Sequence, residues 1–211
     1  MVDFQSRDSR RGRGDEDEAD ETEEAEESPS ESHPESDGES DGSLDEEAVG
    51  EAGDGGGIGV AVVTVNGDVT VEEDRAGAAA VEVLEDAGHG IPARDVVAAD
   101  FDHVQQTLGG LVVRGDVDAI VTLGGDGVGP EDVTVGAARG LFEKTLPGFG
   151  ELFRSMARES IGTGVVRTRT TAGVLDGVPV FCLPETADAA RLGLEDIALP
   201  ELETLVAECA E

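Results

Sequence analysis

The chain has 211 residues with 49 acidic and 14 basic side chains, a formal net charge of −35, six phenylalanines and no tyrosine or tryptophan. This balance excludes nucleic acid as a partner: no basic stripe with stacking aromatics is present to hold a polyanion. No apolar run approaches the length of a membrane span and the N-terminus lacks an apolar signal core, so the expectation is a cytoplasmic protein without a membrane partner.

Residues 1–57 hold 22 acids and 4 bases, and the remainder holds 27 and 10, so both parts are acidic. Lys144 is the sole lysine. Acid excess across a folded domain, with arginine replacing lysine and few aromatics, is the composition of a chain kept soluble in high salt, where self-repulsion is screened. An ordinary acidic protein is the alternative. Cys182 and Cys209 are too few for a disulfide framework, and Cys182 in the run Val180–Leu183 reads as a small buried thiol.

Residues 1–57 begin with a basic patch, Arg7 to Arg13, and continue as Asp, Glu, Ser and Gly with few apolar side chains. Such a segment cannot bury enough surface to offset its conformational entropy, and the expectation is a disordered acidic tail. From residue 58 the pattern changes. Ile58 to Val65 reads as a central strand, and Asp74 to Ala87 as a helix with Ala80, Val81, Leu84 and Ala87 on one face and Gly88 as its stop. Arg94 to Ala98 is a second short strand, and Asp100 caps a helix from Phe101 to about Val113. Ala119 to Leu123 is a third strand, apolar throughout as a buried parallel strand should be. A helical pattern starts near Asp132, and another covers Gly150 to Arg158, with Phe149, Leu152, Phe153 and Met156 as a core or subunit-interface stripe. Val165 to Val174 and Val178 to Leu183 read as strands joined at Asp176-Gly177. Helices over Glu185 to Ile197 and Glu201 to Cys209 close the chain, with Pro200 at a helix start. This alternation predicts an α/β fold, a three-layer α/β/α domain over residues 58–211 with a mostly parallel sheet.

The third strand runs directly into Gly124-Gly125-Asp126-Gly127, a turn between a strand end and a helix start where backbone N–H groups can approach an anion. Open α/β sheets place their ligands at such positions. Downstream come Asp132-Val133-Thr134, then Pro147-Gly148-Phe149-Gly150-Glu151 with Phe153-Arg154, then Thr168-Arg169 with Ala172-Gly173, and finally Phe181-x-Leu183-Pro184. In this order and spacing the motifs resemble the molybdopterin adenylyltransferase family of the MoaB and Mog type, over roughly residues 58 to 205.

That resemblance implies the molybdopterin-binding fold and Mg²⁺-dependent transfer of AMP from ATP to the terminal phosphate of molybdopterin, with pyrophosphate released. It implies a homo-oligomer, trimer or hexamer, with small molecules as its other partners. By resemblance Asp132 and Asp100 are the catalytic, metal-associated carboxylates. Gly124, Gly125, Asp126, Gly127, Thr134, Glu151, Arg169 and Pro184 then belong to the substrate site. Ordinary structural roles are open for several of them: caps for Asp132, Asp100 and Thr134, a helix-start acid for Glu151, and an ion pair for Arg169 or Arg154.

The chain departs from the family pattern at its loops. Asp126 stands where the family has threonine, Glu131 and Val135 replace arginine and proline, Asn66-Gly67 replaces Ser-Asp, and Glu185 replaces a turn glycine. A carboxylate in a phosphate-facing loop repels its ligand unless Mg²⁺ bridges the two. A pterin-binding or assembly paralogue without turnover is therefore the second reading. A third follows from Gly124-Gly125-Asp126-Gly127, which is similar to the GGDG motif of NAD and diacylglycerol kinases.

Overall fold

The computed structural model describes residues 57–210, so the expected acidic tail and its boundary lie outside the described residues except for Gly57. Chain order is β1 (Val60–Val65), α1 (Arg75–Asp86), β2 (Arg94–Val97), α2 (Phe101–Val112), β3 (Ala119–Leu123), α3 (Thr134–Leu141), β4 (Lys144–Thr145), α4 (Pro147–Ile161), a tight turn at Gly162–Arg167, β5 (Thr171–Leu175), β6 (Val178–Leu183), α5 (Ala187–Gly193), a widened turn at Leu194–Ala198, and α6 (Leu199–Cys209). The strands form a six-stranded sheet in the order β2-β1-β3-β6-β5-β4. The pairs β2–β1, β1–β3 and β3–β6 are parallel, whereas β5 runs antiparallel to both β6 and β4.

Alternation along the central strands builds the two cores. Val60, Val62, Val121, Leu123, Phe181 and Leu183 point to one face, where α1, α4, α5 and α6 cover them. Ala61, Val63, Ile120, Val180 and Cys182 point to the other, under α2 and α3. Strands buried on both faces read as continuous apolar runs, which is why β1 and β3 carry no polar stripe. The chain leaves β1 toward β2 and later enters β3 on the opposite side of β1. This reversal sets the topological switch point between β1 and β3, at the sheet edge that also carries the loop after β6.

Local chemistry explains the helix ends. Asp74 precedes α1 and accepts from the Gly77 N–H and the Thr64 hydroxyl, both at 2.8 Å, with the Arg94 guanidinium 3.6 Å away. Asp100 caps α2 as expected, accepting from the His103 N–H at 2.9 Å. Thr186 caps α5 through Ala189. Pro200 falls in the first turn of α6 and Pro147 in the first turn of α4, where a missing N–H costs nothing.

Five expectations change. The strand expected from Val165 begins only at Thr171, because β6 ends at Leu183 and the register Thr171↔Cys182 leaves only Leu183, opposite Thr170, and no partner for Val165 to Arg169. Val165 to Arg167 instead form the tight turn, with Val166 exposed. The helix expected from Gly150 starts earlier, at Pro147, and runs on to Ile161. Its stripe is divided: Phe149 and Phe153 are core, whereas Leu152 and Met156 are exposed. The helix expected from Glu185 begins at Ala187, after the Thr186 cap, and α3 begins at Thr134 rather than Asp132. None of the helices among the described residues is long and apolar enough to cross a membrane.

Candidate functional site

The glycine loop leaves β3 with two successive residues in the left-handed region, Gly124 at φ +94° and Gly125 at φ +64°. Both are also too crowded for a side chain. A Cβ on Gly125 would lie 2.1 Å from the Thr134 Oγ1, and one on Gly124 would lie 2.8 Å from the Val65 carbonyl oxygen. The turn therefore needs glycine for conformation and for space together.

Asp132 lies under the same loop. Its Oδ2 accepts from the Gly129 N–H at 2.7 Å, closing the segment Gly129–Asp132 on itself, while Oδ1 takes no hydrogen bond from the described residues. Asp132 does not cap α3; the residue at that cap is Val133, with no side-chain bond. Thr134, the first residue of α3, is fully buried and its hydroxyl has no hydrogen-bond partner among the described residues.

Arg169 ties these pieces together. Its Nε donates to the Gly127 carbonyl at 2.5 Å, an Nη donates to the Asp132 carbonyl, and its backbone N–H donates to the Asp126 carbonyl at 2.9 Å. Among the described residues the guanidinium forms no ion pair; it clamps the glycine loop to the segment leading into β5. Arg154 ties α4 to that same segment, donating to the Thr170 carbonyl at 3.1 Å.

Asp126 differs most from its expected orientation toward a phosphate. Its side chain turns inward, where Oδ2 accepts from the hydroxyls of Thr168 and Thr170. The residue is 8% exposed. Burial pushes its carboxyl above the ordinary carboxylate range, the two threonine hydrogen bonds pull against that, and the neighbouring Asp132 charge adds to it. Thr168 and Thr170 were not marked as site residues by the sequence. Their i, i+2 spacing in an extended segment, which puts both hydroxyls on one side, was the signal that could have found them.

Next to the loop lies a cleft of about 520 Å³ between α4, the Gly162–Arg167 turn and α5, lined by Asp126, Gly127, Thr168 and Pro184 together with apolar side chains from α4 and α5. Phe153 reaches this cleft as well as the core, so the α4 stripe also contributes to the pocket. On the other side of the loop, Asn66 Nδ2 donates to Glu185 Oε1 at 2.6 Å, linking the turns after β1 and β6 beside Gly124. The structure therefore groups Gly124, Gly125, Asp126, Gly127, Asp132, Thr134 and Arg169, with Pro184 across the cleft. Glu151 is exposed on α4 and does not line the cleft. Asp100 stands at the start of α2; the next residue, Phe101, lies 3.6 Å from where a Cβ on Gly136 of α3 would sit, but no hydrogen bond joins Asp100 to the loop.

Residues 61–204 match the family model described as "Probable molybdopterin binding domain". The chain belongs to this family. The molybdenum cofactor biosynthesis protein B of Bacillus subtilis is 37% identical over 148 residues, covering 70% of this chain and 87% of the relative. A crystal structure of a molybdenum cofactor biosynthesis protein B superposes with a TM-score of 0.71 at 32% identity, covering 73% of this chain and 96% of the other. The tungsten cofactor synthesizing protein MoaB of Pyrococcus furiosus superposes with a TM-score of 0.66 at 32% identity, covering 74% and 99%. The molybdopterin-binding fold of this family is thus the fold of residues 61–204, and it carries the glycine loop, Asp132 and the cleft within it.

Proposed function

We propose that this protein acts in molybdenum or tungsten cofactor biosynthesis and adenylylates molybdopterin with Mg-ATP. The observation that carries this reading is the loop after β3: consecutive left-handed glycines at the switch point, beside a half-buried Asp132 with one carboxylate oxygen that accepts no hydrogen bond from the described residues. Phosphoryl transfer needs positioned donors and neutralised charge more than covalent help from the protein. The glycine backbone can supply N–H donors, and the Arg169 clamp holds that backbone in one shape.

The donor set suits Mg²⁺. Asp132 and Asp100 offer carboxylates at the same sheet edge, and among the described residues no group of three or more His, Cys, Asp or Glu comes together. That is the donor set for a cation completed by substrate phosphates and water rather than by a protein cage. When bound, Mg²⁺ would neutralise phosphate charge beside the loop. The homo-oligomer implied by the resemblance belongs to the same proposal, and exposed Leu152 and Met156 on α4 are the apolar side chains such a contact could use.

A second reading, a pterin-binding relative without turnover, is favoured by one observation. Glu185, held by Asn66, adds a carboxylate beside Gly124 where a phosphate would approach. Incubation with molybdopterin and Mg-ATP in molar KCl separates the two. Turnover that is lost in Asp132→Asn supports adenylylation; pterin binding with no product supports the binding relative.

A further inference from the structure

The turns after β1 and β6 meet over the start of the glycine loop, through two residues at which the chain departs from the family pattern. Asn66, in place of serine, donates from Nδ2 to Glu185 Oε1 at 2.6 Å, across 119 positions of sequence. The amide is oriented from its other end, where Oδ1 accepts from the Asp68 N–H at 2.9 Å. Glu185, in place of a turn glycine, is half-buried and held against the loop. Its Oε2 lies 3.1 Å, and its Cβ 3.3 Å, from where a Cβ on Gly124 would sit. Oε2 accepts no hydrogen bond from any other described residue.

Among the described residues no ion pair neutralises this carboxylate. Glu185 lines a second cleft, of about 310 Å³, with Glu73, Asp74, Arg75 and Thr186, but Arg75 makes no salt bridge to it. Glu73 is turned back on Thr70, and Asp74 is taken up by Thr64, Gly77 and Arg94. Glu185 is thus a fixed charge at the Gly124 end of the loop. Asp132 is its counterpart at the other end, with Oδ2 2.6 Å from the Cβ position of Gly127. A mere link between two turns does not need the charge, since a glutamine would accept the same hydrogen bond from Asn66. A phosphate arriving without a counter-ion is repelled at both ends of the loop, and partial burial weakens the screening of that repulsion by salt. The sign reverses with a divalent cation present, because a carboxylate with an open oxygen and a phosphate oxygen can share it.

We propose that Glu185, held by Asn66, makes phosphate binding at the glycine loop conditional on a divalent cation, as a specificity-determining residue that rejects the bare anion and admits the metal-bound one. This rests on the phosphate-binding reading of the loop given above, and it adds Glu185 to the carboxylates assigned to the cation. Cation and phosphate then raise each other's affinity by the same factor.

Inorganic pyrophosphate is the probe, titrated calorimetrically into the full chain in molar KCl, with EDTA or with Mg²⁺, and without ATP or molybdopterin. The quantity read is the ratio of the two affinities, compared between variants so that association of Mg²⁺ with pyrophosphate in solution cancels. Glu185→Gln keeps the hydrogen-bond acceptor and loses the charge. It should raise the affinity in EDTA about tenfold and leave the affinity in Mg²⁺ equal or lower, so that the ratio falls about tenfold or more. Glu185→Gly, the residue of the family pattern, should move both values the same way and covers the case in which the glutamine variant fails to fold, with folding checked by circular dichroism. An equal ratio in wild type and folded variants overturns the inference, as a merely structural link would give, and leaves phosphate binding at the loop standing. A lower affinity of the variants in EDTA overturns it as well. If the wild type binds pyrophosphate under neither condition the inference falls too, and product formation from molybdopterin then decides the adenylylation reading by itself.

Discussion

Replacing Gly125 by alanine tests whether the loop geometry is required or incidental. Two costs follow from the structure. The residue sits at φ +64°, where an L side chain costs about 1–2 kcal/mol. Its new Cβ would lie 2.1 Å from Thr134 Oγ1 and 3.0 Å from Thr134 Cβ, and Thr134 is fully buried with nowhere to move, which adds about 1–3 kcal/mol of overpacking. The sum, about 2–5 kcal/mol, corresponds to a fall in Tm of about 5–15 °C for a domain of this size. Gly88 is the control. It has φ +85° but nothing within 4 Å of its Cβ position, so Gly88→Ala should show only the conformational cost, about 1–2 kcal/mol. Adding Thr134→Ala should recover part of the loss at Gly125 and none at Gly88, since it removes the nearest atom and a hydroxyl that has no partner. Thermal unfolding followed by circular dichroism in molar KCl reads all of these variants. Equal losses at Gly125 and Gly88, or no recovery in the double variant, would refute the crowding argument.

Three further outcomes are expected. The raised Asp126 pKa means that its neutral form favours the fold below the ordinary carboxylate pKa, and this contribution is lost as pH rises through the folded value. Asp126→Asn should therefore gain stability relative to wild type as pH rises from about 4 toward 7; urea midpoints that move the opposite way contradict the assigned burial. Asp74→Ala removes the α1 cap together with the Thr64 and Arg94 contacts and should cost about 2–4 kcal/mol by urea unfolding, and a loss below about 0.5 kcal/mol would mean that the network is not structural. Burial pushes the Cys182 thiol up to about 11, whereas Cys209 is partly exposed on α6, so a thiol reagent at pH 8 should label Cys209 first and Cys182 only on unfolding.

The central sheet was legible because its chemistry is repetitive. β1 and β3 are apolar on both faces, and α1 and α2 announce themselves with Asp74 and Asp100 before their first turns. The glycine loop was legible for the same reason: few sequences other than a forced turn place Gly124 and Gly125 after a buried strand. What the sequence hid were features set by long-range partners. β4 is two residues long and exists only because Lys144 and Thr145 pair with β5. Val165 and Val166 look like strand residues, but no register position on β6 remains for them. The orientation of Asp126 was hidden likewise, since it depends on Thr168 and Thr170, more than forty residues away. Family motifs located the loop; only the fold showed that its carboxylate turns inward onto Thr168 and Thr170.

Adenylylation at this loop is read out by mass spectrometry of molybdopterin incubated with the protein and Mg-ATP in molar KCl. The expected result is a molybdopterin product heavier by one adenylyl group (AMP less water), equimolar pyrophosphate, and loss of both in Asp132→Asn while circular dichroism shows the variant folded. A folded wild type that yields no AMP adduct, or an Asp132→Asn variant that forms it at the wild-type rate, would contradict it.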